Sequence, residues 1–323
     1  MTVALAPSNN VAGALCAMGA VSCYSVNDVA IKFLSDDYAL HQVVFLRSLI
    51  ALAATLAVIL WMGGGAELLR TRRPGLHAMR GLGIVLVNTL FFAAIAAMPL
   101  AEATALFFVS PLVIAALSFL VLGERVGPWR WLAVAIGLAG VVVMLRPGSG
   151  AIRLVALLPI AAAIIYAGVS LLTRRMGGTE RAGTMAIYAH LAFLLTGLAV
   201  GLVVGDGRHA DQDDPSLAFL LRGWIWPRPD DLAIFALIGV ASAGGAFLMG
   251  QSYRLGEAGL VAPFEYTILP MAVLWGFVVF GDLPDAVAWL GMGLIVAGGL
   301  LLIWRETRNA RPPRPVSPGR EAR

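Results

Sequence analysis

Five ionisable side chains interrupt stretches of the sequence that are otherwise apolar: Asp28, Lys32, Arg47, His190 and Glu265. A charge at the centre of a lipid bilayer costs about 2.5–3.5 kcal/mol even on lenient insertion scales, so each such group needs a partner or a function. Asp28 and Lys32 are four residues apart, a spacing that suits an ion pair on one helix face. Either this pair binds a charged group of a ligand, or it neutralises itself so that the helix can insert.

Arg47, His190 and Glu265 lie in three further apolar segments. Arg47 has no acidic residue on its own predicted helix, so it needs Asp28, Glu265 or a ligand carboxylate from across the bundle. His190 could take part in a proton-coupled step, with a hydrogen-bonded interior histidine as the alternative. Glu265 follows Pro263, which tends to kink a helix and free a carbonyl, so polar backbone is expected to face a cavity there. We hypothesise that Glu265 binds a proton or a cationic ligand.

Hydrogen-bonding and aromatic side chains in the same segments complete the candidate pathway for a ligand. Tyrosine and tryptophan can line a cavity or simply pack between helices, and both interpretations stay open. The predicted pathway residues are Tyr24, Asn27, Asp28, Lys32, Arg47, Asn88, Tyr166, His190, Glu265, Tyr266 and Trp275.

The sequence argues against several kinds of enzyme and cofactor site. Lys32 is the single lysine among 23 basic residues, and it does not follow a glycine-rich turn, so no nucleotide-binding Walker A loop is present. HExxH and GxSxG motifs are absent, and the four histidines are too scattered to suggest a zinc site. Cys16 and Cys23 are about 10 Å apart on one predicted helix, too far for a disulfide. We therefore predict no catalytic residues, no metal and no cofactor.

The composition indicates which elements must position these residues. Of 323 residues, 59% are hydrophobic and 13% are charged, against about 45–50% and about 25% in soluble domains. Windows of about 20 apolar residues span a bilayer. Ten such windows occur, at residues 11–34, 40–62, 76–98, 101–123, 129–145, 154–173, 182–204, 232–253, 258–280 and 286–304. The predicted fold class is an all-α integral membrane protein with ten transmembrane helices.

The charged residues between the spans predict the orientation in the membrane. With the N-terminus inside, most arginines fall in cytoplasmic loops and the tail, whereas aspartates collect on the opposite side. The positive-inside rule then places both termini in the cytoplasm. Residues 305–323 are rich in Arg and Pro and are predicted to form a disordered basic tail near anionic headgroups. Nucleic acid is not a predicted partner.

An internal repeat divides the chain. Trp131 returns as Trp289 and Gly140 as Gly298, each at an offset of 158 residues. Two halves of five spans must have opposite orientations because five is odd, and such inverted repeats are typical of transporters with a site at the midplane. The predicted parts are a first repeat at 11–145, a linker at 146–153, a second repeat at 154–304 and the tail at 305–323.

Small residues spaced four apart predict close helix contacts. These are Ala133 and Gly137 in span five, and Gly293 and Ala297 in span ten. Such contacts are structural in the first instance, although they sometimes join two protomers. A monomer and a homodimer therefore both stay open.

Several of these motifs resemble one family. The Leu122-Gly123-Glu124 ending of span four, the run 262–267 (APFEYT) and the pair Asn27-Asp28 are similar to EamA domains of the drug/metabolite transporter superfamily. The resemblance covers nearly the whole chain. It implies a bacterial inner-membrane carrier with two EamA repeats of five helices around a central cavity, and no ATPase. Members move small organic solutes that include amino acids, nucleosides, vitamins and S-adenosylmethionine.

The sequence thus predicts a secondary transporter that works by alternating access, driven by a proton gradient or by solute exchange. Basic Arg47 and Lys32 facing acidic Asp28 and Glu265 suit a zwitterion, which favours efflux of an amino-acid-like metabolite. The alternatives are uptake of a vitamin, nucleoside or S-adenosylmethionine-like solute, an integral membrane lipid-modifying enzyme, and a non-catalytic scaffold or receptor. The predicted partners are a small-molecule substrate, the lipid bilayer and protons as coupling ion.

Overall fold

The computed structural model describes residues 10–61, 63, 65, 70–122, 128–146, 154–176, 180–256 and 258–309. All long elements in this part of the chain are helices. They are α1 (Asn10–Leu34), α2 (Leu40–Trp61), α3 (Pro74–Ala97), α4 (Leu100–Phe107), α5 (Ser110–Leu122), α6 (Pro128–Leu145), α7 (Leu157–Met176), α8 (Ala182–Val204), α9 (Pro215–Leu221), α10 (Leu232–Leu255), α11 (Ala258–Glu265), α12 (Ile268–Phe280) and α13 (Ala286–Asn309). The linker after residue 146, residues 123–127 and the tail beyond 309 lie outside the described residues. Residues 305–309, predicted to begin a disordered tail, instead continue α13 as helix.

The helices confirm the predicted all-α membrane fold. Nine helical segments of the described chain are long and apolar enough to cross a membrane, and the apolar segment Trp131–Leu145 of α6 is a shorter tenth. Spans four and nine each consist of two consecutive helices, α4 with α5 and α11 with α12. The exact boundaries of the two predicted repeats stay a prediction.

The two broken spans have their breaks at equivalent positions of the internal repeat. The first helical part ends before Phe108 in span four and before Tyr266 in span nine, which are 158 residues apart. Proline lies in the first turn after each break, as Pro111 and Pro270. A proline has no N–H for the carbonyl four residues earlier and its ring clashes with that carbonyl, so a continuous helix is disfavoured. The sequence predicts a kink at Pro263, but α11 continues through Pro263 and the break follows Glu265.

The two breaks pack against each other. The ring of Phe108 meets the ring of Tyr266 edge-on, with centroids 5.0 Å apart and an interplanar angle of 66°. Because the two residues are equivalent in the repeat, the halves of the chain meet through the same position of each.

Contacts between loops agree with ten alternating spans. We call the side formed by residues 35–39, 98–99, 205–231 and 281–285 the acidic end, and the opposite side the arginine end. At the acidic end, Arg228 forms ion pairs with Asp37 and Asp231. At the arginine end, Nε2 of His77 lies 3.1 Å from Oε2 of Glu180. Loops predicted to share a side therefore contact each other.

Several arginines that the sequence assigns to loops at the arginine end belong to helices, and Arg80 is one of them. Arg80 lies in α3, where Nε donates to Oγ1 of Thr173 at 2.8 Å and Nη1 donates to the carbonyl of Met185 at 3.0 Å. These bonds tie α3 to α7 and α8, so Arg80 joins the two halves of the bundle near the arginine end.

The contact between α6 and α13 confirms one predicted small-residue pair and corrects the other. A Cβ added at Gly298 would lie 2.7 Å from the carbonyl oxygen of Ala133 and 2.9 Å from the backbone nitrogen of Gly137. A Cβ at Gly293 would meet nothing within 4 Å. On α13 the contact is therefore made by Gly291 and Gly298, one on each side of the predicted pair, because the helix turns Gly293 away from α6.

This difference gives a matched pair of variants. We expect Gly298→Ala to lower the free energy of unfolding by about 1–3 kcal/mol, because the new methyl group has backbone atoms in its way. Gly293→Ala makes the same change in open space on the same helix and is expected to be neutral or to stabilise by up to about 1 kcal/mol. Thermal melting of both purified variants checks this, and equal melting temperatures would show that the α6–α13 contact is looser than described.

Candidate functional site

Arg47 is the most deeply buried cation in the candidate pathway. It lies about two turns into α2 and is 5% exposed. Its guanidinium carbon lies 5.4 Å from the ring centroid of Phe92 on α3 and 5.0 Å from that of Phe193 on α8. Among the described residues, no carboxylate oxygen lies within 4.0 Å of it. The Arg47 guanidinium therefore lies between aromatic rings and forms no ion pair with a described carboxylate.

The expected partners of Arg47 are nearby but not in contact. Asp28 and His190 both interact with it electrostatically. The Asp28 carboxylate instead accepts a hydrogen bond from Nδ2 of Asn27 at 3.2 Å. Oδ1 of Asn27 in turn accepts one from the Ser242 hydroxyl of α10 at 3.0 Å. These hydrogen bonds hold an acidic group on α1 within electrostatic range of a basic group on α2.

Lys32 does not form the ion pair with Asp28 that the spacing predicts. Its Nζ donates to the carbonyls of Ile95 and Met98, at 2.7 and 2.8 Å, at the end of α3. It also lies 5.0 Å from the ring centroid of Phe280. The last carbonyls of a helix lack partners inside the helix and attract a cation, which explains why the side chain turns toward α3.

We expect Lys32→Met to destabilise the fold by about 2 kcal/mol, because two hydrogen bonds from a charged donor are lost. The measurement is the melting temperature in detergent. Lys32→Arg, which keeps a charged donor, is the control and should recover part of the loss. An unchanged melting temperature combined with lost transport would instead assign Lys32 to the substrate.

Glu265 interacts with tyrosines from three other helices. The hydroxyl of Tyr253 on α10 donates to its carboxylate. Tyr24 of α1 and Tyr166 of α7 interact with the same carboxylate electrostatically. Tyr24 packs against α10 at Gly245, where an added Cβ would lie 2.7 Å from the ring. The predicted residues Tyr24, Tyr166 and Glu265 thus converge from three helices.

Tyr166 is a partly exposed member of this group. It is 40% exposed, although its ring contacts that of Phe107 on α4, with centroids 5.4 Å apart and an interplanar angle of 55°. It also interacts electrostatically with Arg80 and Glu265. These neighbours lie on α3, α4 and α11, so Tyr166 is placed between helices of both halves of the bundle and keeps part of its surface exposed.

Three further predicted residues, Asn88, Tyr266 and Trp275, make contacts that belong to the packing of the helices. The Asn88 amide donates to the Ile84 carbonyl of its own helix at 3.1 Å. Tyr266 packs at the helix break, and an added Cβ at Gly299 would lie 1.7 Å from its hydroxyl oxygen. Trp275 packs against the buried apolar core. Their roles in a pathway stay predictions.

Sequence reasoning missed Phe92, Phe193 and Ser242. Phenylalanine is common in membrane spans, so neither ring is distinguished by its type. The one available signal is that Phe193 follows His190 by three residues and so shares its helix face.

The acidic end is tied together by side chains of the long loop 205–231. Tyr38 donates to Oδ2 of Asp231 at 2.6 Å, and Nε2 of Gln42 donates to the carbonyl of Ile225 at 2.5 Å. Nearby, Arg146 pairs with Asp285, and the hydrogen bond from this guanidinium lowers the pKa of the Asp285 carboxyl. That contact therefore persists at neutral pH and is lost as the pH falls through the lowered pKa.

A ten-span helical bundle with ionisable groups at its centre and two spans broken at equivalent positions has the architecture of a secondary transporter. Comparisons with known proteins agree. Residues 11–146 match the EamA-like transporter family. A riboflavin transporter of Rhizobium johnstonii is 32% identical over 97% of this chain and 97% of its own. An S-adenosylmethionine uptake transporter of Rickettsia prowazekii is 25% identical over 88% of this chain and 90% of its own.

A solved crystal structure has the same fold, with a TM-score of 0.64 and 21% identity over 94% of this chain and 100% of its own. The chain belongs to the EamA-like transporter family, within the drug/metabolite transporter superfamily. It is a membrane transporter of a small metabolite and not an enzyme.

Proposed function

We propose that this protein takes up riboflavin, or a solute built like it, by alternating access around Arg47. The observation that carries the proposal is the buried Arg47 guanidinium between the rings of Phe92 and Phe193, without a carboxylate within 4.0 Å among the described residues. The relative from Rhizobium johnstonii, similar along 97% of both chains, supports the same solute.

The chemistry of such a site suits a flat heteroaromatic molecule. Aromatic side chains stack on planar rings, and a guanidinium both stacks on π-systems and donates hydrogen bonds to carbonyl oxygens. The isoalloxazine ring of riboflavin presents a π-face and two carbonyl oxygens. A free zwitterionic amino acid would use the charge of Arg47 but leave the two phenylalanine rings without a partner.

The charge pattern of the sequence favours efflux of an amino-acid-like solute, but we propose vitamin uptake instead. The relatives described above are named for riboflavin and for S-adenosylmethionine. Both molecules combine a planar nitrogen heterocycle with a ribose-derived group. The S-adenosylmethionine-like solute is the second candidate, favoured by the acidic Asp28 facing the pathway, which suits a cationic sulfonium.

We further propose that protons drive uptake through Glu265. Its carboxylate accepts a hydrogen bond from Tyr253, which stabilises the charged form, and it interacts electrostatically with Tyr24 and Tyr166. The distribution of arginines supports insertion in the bacterial inner membrane with both termini in the cytoplasm. The acidic end would then face the periplasm, from which a vitamin arrives.

Growth of a riboflavin-auxotrophic bacterium tests the proposal in cells. We expect expression of this protein to restore growth at riboflavin concentrations too low for cells carrying an empty vector. Arg47→Met, expressed at the same level, should not restore growth. Equal growth with and without the protein, at confirmed membrane expression, would contradict riboflavin uptake.

A further inference from the structure

A small pocket of about 70 Å³ lies between α2, α3, α8 and the short helix α9. Most of its wall is apolar, and its polar groups are His41, Thr89 and Thr196. Leu220 of the acidic-end loop contributes to the wall from α9. The volume admits a few water molecules or a short polar chain.

His41 is the distinctive group in this pocket. It is 5% exposed, and neither ring nitrogen has a hydrogen-bond partner among the described residues. The Leu220 carbonyl is close but does not have hydrogen-bond geometry. The face of the imidazole is stacked on Trp224, with centroids 6.0 Å apart, and both unpaired ring nitrogens are buried at the wall of the pocket. A buried imidazole with two unpaired nitrogens costs free energy unless something in the pocket binds it.

The two threonines add further hydrogen-bonding capacity. Oγ1 of Thr89 donates to the Val85 carbonyl at 2.9 Å, which leaves its lone pairs free to accept. Thr196 lies on the opposite wall, on α8. The pocket thus offers an imidazole and two hydroxyls in an otherwise apolar wall. That pattern matches a chain of neighbouring hydroxyl groups, each of which donates and accepts.

The pocket adjoins the Arg47 site. Val44 and Arg47 are three residues apart on α2, as are Thr89 and Phe92 on α3, and Thr196 and Phe193 on α8. Residues three apart share a helix face, so on all three helices the pocket and the arginine–aromatic site lie on the same side. His41 lies six residues before Arg47, about 9 Å along the helix toward the acidic end.

We infer that the His41 pocket binds the polyhydroxylated part of the substrate while its planar ring lies at Arg47. This inference rests on the proposed function, and it names the part of the solute that each subsite recognises. The ribityl chain of riboflavin and the ribose of an adenosyl compound are both ligands of this class. Discrimination against analogues without hydroxyls follows, because such an analogue leaves the imidazole nitrogens unpaired.

Binding of two flavins to the purified protein in nanodiscs tests the inference. The probes are riboflavin and lumiflavin, which has the same ring system without the ribityl chain, and the readout is quenching of flavin fluorescence. His41→Phe keeps an aromatic ring against Trp224 and removes both nitrogens. His209→Phe makes the same substitution at an exposed histidine of the acidic-end loop and serves as the matched control.

We expect His41→Phe to weaken riboflavin binding by roughly three- to tenfold and to leave lumiflavin binding unchanged. The His209→Phe protein should bind both flavins as the wild type does. The His41→Phe protein should also melt at the same or a higher temperature without ligand, since no hydrogen bond within the fold is lost. Thr89→Val provides a second variant with the same expected selectivity for riboflavin.

Equal effects of His41→Phe on both flavins, or no effect on either, would overturn the inference. A large fall in melting temperature without ligand would also overturn it, because the nitrogens would then have partners within the protein. If the wild type binds neither flavin, the proposed function itself fails and this subsite fails with it. The wild-type measurement therefore separates the two failures.

Discussion

Arg47→Met is expected to reduce riboflavin uptake at least about 100-fold while leaving the protein folded. A cation–π contact is worth up to about 2 kcal/mol when desolvated, and a hydrogen bond from a charged donor about 1.5–3 kcal/mol. Loss of both from the bound substrate corresponds to two or more orders of magnitude in affinity. Initial rates of uptake, normalised to protein in the membrane, measure the effect.

The stability of the Arg47→Met protein separates a binding role from a structural one. Arg47 has no carboxylate within 4.0 Å among the described residues, so the substitution breaks no ion pair and should lower the melting temperature only slightly. Arg208→Met makes the same substitution in an exposed pair with Asp206 and should transport normally. Arg47→Lys keeps the charge but not the planar guanidinium and is expected to remain strongly impaired. Normal uptake by Arg47→Met would remove Arg47 from the substrate site.

Glu265→Gln is expected to abolish accumulation of substrate driven by a pH gradient, at every pH tested. Glutamine has a similar shape and can still accept the hydrogen bond from Tyr253, but it cannot bind and release a proton. Exchange of internal for external substrate does not require net proton movement and should persist. The measurement compares accumulation and exchange in the same proteoliposomes, with and without an imposed gradient.

Asp285→Asn is the matched control for this change. It converts a carboxylate to an amide at the exposed acidic end, where Asp285 pairs with Arg146. We expect it to retain gradient-driven accumulation. If Glu265→Gln accumulates substrate as the wild type does, Glu265 is not the coupling group, and a cation-binding or packing role must replace it.

The fold follows from the sequence because its main signals are local. Runs of about 20 apolar residues must form helices in lipid, where every backbone polar group needs a partner within the chain. The offset of 158 residues between Gly140 and Gly298 makes Phe108 and Tyr266 equivalent positions, but it does not predict that the helices break before them. The place of each break depends on Pro111 and Pro270 in the following helix, which sequence reasoning passed over in favour of Pro263.

The sequence yields a set of candidate site residues, which stay a prediction, but it does not yield their contacts. Burial costs single out Arg47 and Glu265 on any helix, whatever surrounds them. Partners depend on how helices distant in sequence pack. Lys32 binds the end of α3, 63 residues away in the chain at Ile95, and not Asp28 on its own helix. Residue spacing predicts contacts only within one helix. It therefore could not predict that Lys32 binds the free carbonyls of α3 in preference to the Asp28 carboxylate one turn away.

Flux of radiolabelled riboflavin into proteoliposomes that contain only the purified protein tests the central claim most directly. We predict uptake well above that of protein-free liposomes, stimulated by a pH gradient and blocked by excess unlabelled riboflavin, with little flux of amino acids in the same vesicles. Absence of riboflavin flux from correctly folded protein, or flux of amino acids alone, would contradict the account.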